Sequence, residues 1–381
     1  MKRIFFSAGE VSGDFNTSCI AKSISSSNQT IEMVGIGGDR MRGCGVKILF
    51  DFIPLSSIGI IESIIPGLKL ALKLISIRSY LKKHVVDLIV LVDNQGINIP
   101  LAKLAKRLKI PTIYYFPPQV SVWGEWNVKK ISRLVDLILS PFYEDYRLYK
   151  NAGGKVLYVG HPMLELIKSE SKESDISSST CKTRDYVIGL FPGSRKQEIK
   201  KLLPILLKFA ELISKKYSLI FLIPVSSNHF VPYIKDLLLE YAEINITLIN
   251  QGNYKSYKQC DIAVLASGTV SLELALLKIP MVVVYKVNYL TYLFAKLLVK
   301  SKYISLPNIL LNENIVPELI QYKVNPENIF NKVNKFITDP KCCFEYKEKL
   351  QKLEKVLGDG NTINYVSELI ISQLNKTYNI N

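Results

Sequence analysis

Short apolar runs rich in β-branched and aromatic residues alternate along this chain with longer stretches in which apolar side chains recur at helical spacing. The first half carries RIFFS, DLIVLVD, PTIYYF, LILS and VLYVG, and the second carries YVIGLF, SLIFLIPV, ITLIN, DIAVLAS and PMVVVY. Strands that are apolar on both faces and separated by helices predict parallel sheets covered on both sides. The expected fold class is therefore α/β, built from doubly wound, Rossmann-like domains. A chain of 381 residues also exceeds the roughly 250 to 300 at which single cores stop growing, so two domains are expected.

The alternation breaks once, at IKSESKESDISSSTCKTRD (Ile167 to Asp185), a stretch rich in Ser and charge and poor in apolar residues. It reads as a linker, giving an N-terminal domain over 1–166, a linker over 167–185 and a C-terminal domain over 186–345. After PNILLNENIVPELI the strands stop, and Ile329, Val333 and Ile337 at spacing four announce helices. Residues 346–381 are expected to be C-terminal helices that pack back on the N-terminal domain. Two open α/β domains bind ligands beyond the carboxyl ends of their strands, in the cleft between them.

The strand-end loops supply the candidate chemistry. In LFPGSRKQEI a strand ends at Gly193, Ser194 and Arg195, and a helix follows with Ile199, Leu202, Leu203, Leu206, Phe209 and Ile213 as its buried stripe. Free amides and the helix dipole there favour phosphate, Gly193 permits close approach, and Arg195 offers paired donors. The same residues also read as a helix cap with Arg195 on the surface. A second small-residue loop, Ser267-Gly268-Thr269, opens another helix that carries Glu273 in its first turns. Two such loops, with a carboxylate able to accept ribose hydroxyls, point to a nucleoside diphosphate, although Glu273 also reads as simple dipole complementarity. Neither loop matches the patterns of ATP-binding or dinucleotide-binding glycine loops.

In the first half, RIFFSAGEVSGDFN places Gly9, Glu10, Ser12, Gly13 and Asp14 between a strand and a helix. LIVLVDNQGINIP puts Asp93 at the end of an apolar strand, where a carboxylate can serve as general base to a bound hydroxyl. Taken alone, it reads more readily as a turn former or helix cap.

Charge narrows the partners. Lys plus Arg at 49 against Asp plus Glu at 33 leaves a net +16, which calls for an anionic partner such as phosphorylated metabolites, acidic lipid or nucleic acid. The six cysteines form no C-x-x-C pair and the three histidines are scattered, so no metal site is expected. The start MKRIFFSAGE breaks at Glu10, short of a signal core, and no apolar run has the ~18 residues needed to cross a bilayer. A cytoplasmic chain is expected.

At SAGEVSGD, GIGGDRMRGCGV, PLSSIGIIESI, VGHPM, LFPGSRKQEI, ASGTVSLELALLKIPMVVVYK, LTYLFAKLLVK and YISLPNILLNENIVPEL the chain closely resembles the lipid-A-disaccharide synthase family of GT-B glycosyltransferases. The resemblance implies an inverting transfer of 2,3-diacylglucosamine from its UDP derivative to 2,3-diacylglucosamine 1-phosphate, without metal or other cofactor. It implies Asp93 as base, Arg195 at the UDP phosphates, Glu273 near the nucleotide, Asn308 at the donor site and Glu10 at the cleft, with Asn98 retained in the Asp93 loop. The N-terminal domain would face acceptor and membrane, and the C-terminal domain would bind UDP-sugar.

Two departures accompany the resemblance. DNQGIN has Gln95 and Gly96 where the family commonly has Pro and a second Asp. PPQVSVWGEWNVKK keeps Trp123 but has Gly124, Glu125 and Trp126 where the family has a largely basic run.

The segment Ile58 to Lys83 mixes dense apolar residues with Lys69, Lys73, Arg78, Lys82 and Lys83. It reads either as an amphipathic core helix or as an interfacial one, and the acyl chains implied for both substrates favour peripheral association with an anionic inner membrane of a Gram-negative type. The rival readings are another GT-B UDP-sugar enzyme, such as the peptidoglycan glucosaminyltransferase or a UDP-N-acetylglucosamine epimerase, and a non-catalytic basic lipid-binding protein. No interleaved aromatic and basic module argues for nucleic acid. Oligomeric state has no signature.

Overall fold

The computed structural model describes residues 2–27, 30–51, 64–171, 185–288, 292 and 301–378. Its described residues form two α/β units. The first gathers the chain up to Glu165 together with the C-terminal stretch from Leu357, and the second starts at Leu166 and includes Ser301–Val356.

In the first unit, strands β1 (Lys2–Ala8), β2 (Ile31–Ile36), β3 (Lys47–Phe50), β4 (Leu88–Val92), β5 (Thr112–Tyr115), β6 (Leu137–Ser140) and β7 (Val156–Tyr158) form one parallel sheet. The order β3-β2-β1-β4-β5-β6-β7 reverses direction between β1 and β4. Loops leaving those two neighbours therefore lie side by side, which is where such sheets bind ligands.

Alternation along the strands sends Ile4, Phe6 and Ala8 to one face and Phe5 to the other. On the first face, β1 packs in one core with Ile20, Ala21 and Ile24 of helix Val11–Ser27. Val366, Ile370 and Leu374 of the C-terminal helix Thr362–Tyr378 join that core. On the second face, Ile77 and Leu81, Leu101 and Ala105, and Val128 and Ile131 come from helices Ile64–Lys83, Gln95–Leu108 and Val128–Leu134.

The C-terminal return is locked by a close backbone approach. A Cβ on Gly160, whose φ is +75°, would lie 2.8 Å from the Leu357 carbonyl oxygen, and His161 N donates to that same oxygen at 2.8 Å. Only glycine fits both the left-handed backbone and the space.

The second unit's sheet holds β8 (Tyr186–Phe191), β9 (Leu219–Val225), β10 (Ile246–Asn250), β11 (Ile262–Ala266), β12 (Met281–Tyr285) and β13 (Glu318–Ile320). All are parallel, in the order β10-β9-β8-β11-β12-β13, with its reversal between β8 and β11. The helix Lys196–Ser214 buries the stripe read from its sequence and tolerates Pro204 in its interior.

Two boundaries differ from expectation. Ile167–Ser171, read as the start of the linker, instead complete the helix Pro162–Ser171, because Met163, Leu164 and Ile167 are buried at helical spacing. The return to the first unit falls at Leu357 rather than 346, since the helix Pro340–Leu350 keeps Tyr346 and Leu350 buried in the second unit. Of the stretch read as a membrane segment, residues 58–63 lie outside the described residues.

Candidate active site

At the switch point of the first unit the loops after β1 and β4 meet at Asp93. Its carboxylate accepts a hydrogen bond from Ser12 Oγ at 2.6 Å through Oδ2, and one from Asn94 N at 3.0 Å through Oδ1. Asp93 is half-buried, and these two donors orient its carboxylate.

The backbone under it is unusual: Asp93 and Asn94 have φ of +56° and +21°, a region that non-glycine residues enter at a cost. Three groups hold it there. Asn98 Nδ2 donates to the carbonyls of Val92 at 3.0 Å and Asp93 at 2.9 Å, Asn98 Oδ1 accepts from Ser7 Oγ at 2.6 Å, and Tyr114 OH donates to the Asp93 carbonyl at 2.7 Å. Asn98, fully buried, is thus the clamp of the loop.

The remaining residues of the β1 loop divide. Gly9 packs against Asn94 and Ile97, and Gly13 against Ala8 and Asp93, which keeps the two loops close. Glu10 is half-buried beside them. Asp14 turns away: it is buried and accepts from the amides of Gly38 at 2.7 Å and of Arg40 and Met41 at 3.2 Å. Burial pushes its carboxyl above the usual range while those amides oppose the shift. Its place is structural, holding the loop after β2, and sequence offered no sign of that partner.

In the second unit, the β8 loop spends its amides internally. Glu198 Oε2 accepts from Ser194 N at 3.1 Å and Arg195 N at 3.2 Å. Gly193, with φ +106°, would put a Cβ 2.4 Å from that oxygen. The helix-cap reading is realised, with Glu198 three residues after Arg195 as capping-box spacing requires. Ser194 and Arg195 therefore offer side chains rather than amides. The Arg195 side chain is 53% exposed and lies 3.5 Å from Glu198. Tyr285, at the end of β12, feels both: burial and Glu198 raise its phenol, and Arg195 lowers it.

The β11 loop is different. Ser267 Oγ donates to the Ile304 carbonyl at 2.7 Å, and Ser271 Oγ donates to the Gly268 carbonyl at 2.7 Å. Among the described residues no oxygen accepts from the amides of Gly268, Thr269 and Val270, Gly268 and Thr269 are exposed, and a Cβ on Gly268 would meet nothing within 4 Å. This helix start is the open one, and its amides and dipole are available to an anion. Glu273 is buried on the first turns of the same helix, Val270–Leu276.

Asn308 is also fully buried, and its amide is saturated. Nδ2 donates to Val316 O at 2.8 Å and to Glu318 Oε1 at 2.9 Å, and Oδ1 accepts from Ile315 N at 2.9 Å and Val316 N at 2.8 Å. It is placed as a clamp, as Asn98 is. Glu318 further accepts from Ser305 Oγ at 2.7 Å and Ser305 N at 2.9 Å, and Ser271 Oγ accepts from Leu306 N at 3.4 Å, so this knot holds the wall beside the open loop. Glu318, Ser305 and Glu198 were missed in the sequence. Only Glu198 left a signal there, its spacing from Arg195.

His161 of VGHPM is buried between Phe116 and Phe142, its Nδ1 accepting from Met163 N at 3.2 Å. Burial pushes its pKa down to about 3, which keeps it neutral. Among the described residues no group of three or more His, Cys, Asp or Glu is placed to hold a metal ion, and no helix is long and apolar enough to cross a membrane.

Two parallel α/β units, each with its loops gathered at a switch point, define the GT-B class of fold. UDP-sugar enzymes share it: S. aureus MnaA, solved with UDP, superimposes with a TM-score of 0.65 at 14% identity over 100% of this chain and 98% of that one. The Neisseria meningitidis UDP-GlcNAc 2-epimerase bound to UDP-GlcNAc gives 0.62 at 18% identity over 98% and 100%. The chain belongs to the lipid-A-disaccharide synthetase family, whose model matches residues 4–371. The lipid-A-disaccharide synthase of Sulfurihydrogenibium sp. is 36% identical over 396 residues, 99% of each chain. That of Trichlorobacter lovleyi is 33% identical over 384 residues, 99% of this chain and 98% of its own.

Proposed function

We propose that the chain is an inverting glycosyltransferase that moves 2,3-diacylglucosamine from UDP-2,3-diacylglucosamine to the 6-hydroxyl of 2,3-diacylglucosamine 1-phosphate, giving the β-1,6 disaccharide 1-phosphate of lipid A and UDP. The observation that carries this reading, in a chain of this family, is the Asp93 carboxylate oriented by Ser12 Oγ at 2.6 Å on a clamped, strained loop. Asp93 takes the proton of the acceptor hydroxyl as its oxygen attacks the anomeric carbon, and the bond from that carbon to the UDP oxygen breaks. Charge building on departing UDP is met by the Arg195 guanidinium and by the open helix start at Gly268, Thr269 and Val270, through amides and dipole. Glu273 accepts from the nucleotide's ribose.

In this reading the first unit serves the acceptor and an anionic membrane, and the second serves the UDP-sugar. Peripheral association with the cytoplasmic side of the inner membrane fits two acylated substrates, since each CH₂ kept from water is worth ~0.8 kcal/mol. The test is UDP release from UDP-2,3-diacylglucosamine with and without 2,3-diacylglucosamine 1-phosphate. Acceptor-dependent release supports the reading. UDP binding with no release for this acceptor, but turnover with another sugar acceptor, would reassign the enzyme within its fold class.

A further inference from the structure

We propose that the outer surface of the helices Gln95–Leu108 and Val128–Leu134, with the Trp123–Trp126 turn at its edge, is the surface that docks on an anionic bilayer. The inference rests on the lipid-acceptor reading above and names the surface it uses. The helices that cover the two faces of the seven-stranded sheet differ in where their carboxylates lie. On one face the exposed charges of the helices Val11–Ser27, Asp39–Gly43 and Thr362–Tyr378 are of both signs, Lys22, Arg40, Arg42 and Lys376 with Asp39 and Glu368, and Arg42 pairs with Asp39. On the other, the helices Gln95–Leu108 and Val128–Leu134 carry no carboxylate, and the neighbouring helix Tyr143–Asn151 has Glu144 paired with Arg147 and Asp145 buried. The cations of the two carboxylate-free helices, Lys103, Lys106, Arg107, Lys129, Lys130 and Arg133, are all exposed.

The two helices pack against each other, and Lys106 Nζ donates to the carbonyl oxygen of Arg133, which joins the cations into one surface. Among the described residues none of the six forms an ion pair with a carboxylate. An unneutralised cationic field of this extent calls for an extended anionic partner.

The edge of the surface says which kind. Trp123 and Trp126 are 41% and 62% exposed, with ring centroids 6.5 Å apart in edge contact. The turn Glu125–Asn127 that carries Trp126 brings one exposed carboxylate, Glu125, to the edge of the surface and runs directly into the helix Val128–Leu134. The loop does not yield to bury them: Ser121 N donates to buried Asp145 at 2.8 Å, Tyr149 OH donates to the Pro118 carbonyl at 3.0 Å, and Val120 and Val128 are buried on either side. Amphipathic indoles held out beside a cationic field suit the headgroup level of a bilayer. Edge-packed rings leave poor platforms for stacked bases, which favours lipid over nucleic acid. Asn127 Nδ2 reaches Gln95 Oε1 at 3.4 Å, two residues from Asp93, so docking here would bring the bilayer beside the loop that bears the base.

The experiment is co-sedimentation of the full chain with phosphatidylglycerol-containing vesicles and with pure phosphatidylcholine vesicles, at low and high salt. The combined variant Lys103→Gln, Arg107→Gln, Lys129→Gln, Lys130→Gln is compared with Lys22→Gln, Lys376→Gln on the opposite face, and with Trp126→Ser. The four-site variant is expected to lose on the order of 10²- to 10³-fold in partitioning to anionic vesicles, at roughly fivefold per cation near the surface, and to flatten its salt dependence. Trp126→Ser should weaken binding while leaving the salt dependence intact, and the opposite-face variant should bind as the native chain does. UDP release from detergent-dispersed substrates should be unchanged in all three. Native-like vesicle binding by the four-site variant would overturn the proposal, as would equal binding to neutral vesicles or displacement of the protein from vesicles by single-stranded RNA. Absence of UDP release in the native chain would instead count against the glycosyltransferase reading.

Discussion

Ser12 Oγ donates to Asp93 Oδ2 at 2.6 Å, joining the loop after β1 to the loop after β4 at the point where the strand order reverses. The bond aims one carboxylate oxygen, which in the proposed reaction faces the acceptor hydroxyl. A hydrogen bond to a charged group contributes about 1.5–3 kcal/mol, and here it acts on orientation. Ser12→Ala is expected to lower kcat about 10- to 100-fold, by the same arithmetic, with UDP affinity unchanged in titration. Equal loss of UDP affinity would show that the loop serves the nucleotide instead.

Asn98 and Asn308 are predicted to act through stability. Asn308→Ala leaves Val316 O and the amides of Ile315 and Val316 without their partner in the interior, at about 1–3 kcal/mol for each stranded group. A loss above ~3 kcal/mol in denaturant unfolding is expected. A direct donor contact would show the reverse pattern, weaker UDP-sugar binding at unchanged stability.

Asp145 sets a pH dependence. Burial pushes its carboxyl from the ordinary carboxylate range up to about 6, so around pH 5 the folded state holds a proton that the unfolded chain releases. The associated stability is present below about pH 4 and is lost as pH rises through 6, a difference of roughly two pH units or about 3 kcal/mol. Asp145→Asn keeps an acceptor for Ser121 N. Its unfolding midpoint should exceed the native one above pH 6, with the advantage shrinking to nothing below pH 4.

Gly160 and Gly153 provide a matched pair. Both have positive φ, +75° and +81°, but a Cβ on Gly160 meets the Leu357 carbonyl oxygen at 2.8 Å while one on Gly153 meets nothing within 4 Å. Gly153→Ala should cost about 1 kcal/mol for backbone strain alone. Gly160→Ala should cost at least ~2 kcal/mol and should first raise amide exchange in the helix Thr362–Tyr378.

The strands were legible because a parallel sheet buried on both faces leaves unbroken apolar runs such as LIVLV of β4, which is buried throughout. The loops holding Asp93 and Gly268 were legible for the same reason, since they follow those runs. Partners distant in sequence were not. Asp14 sits in the first turn of one helix yet serves Gly38 and Met41 of another segment. Nothing in the spacing of Asn308 and Glu318 marks them as a bonded pair, because only the return of β13 to β12 brings them together. Glu198 could have been read from its cap spacing, and that would have moved the candidate anion site from the β8 loop amides to the open β11 loop.

The most direct test of the account is acceptor-dependent UDP release by Asp93→Asn. The substitution keeps the size of the side chain and an acceptor for Ser12, and removes the base. Release is expected to fall 10²- to 10⁴-fold, as loss of a positioned general base does, with UDP binding preserved. Native-like release by Asp93→Asn would place the base elsewhere and contradict the central claim.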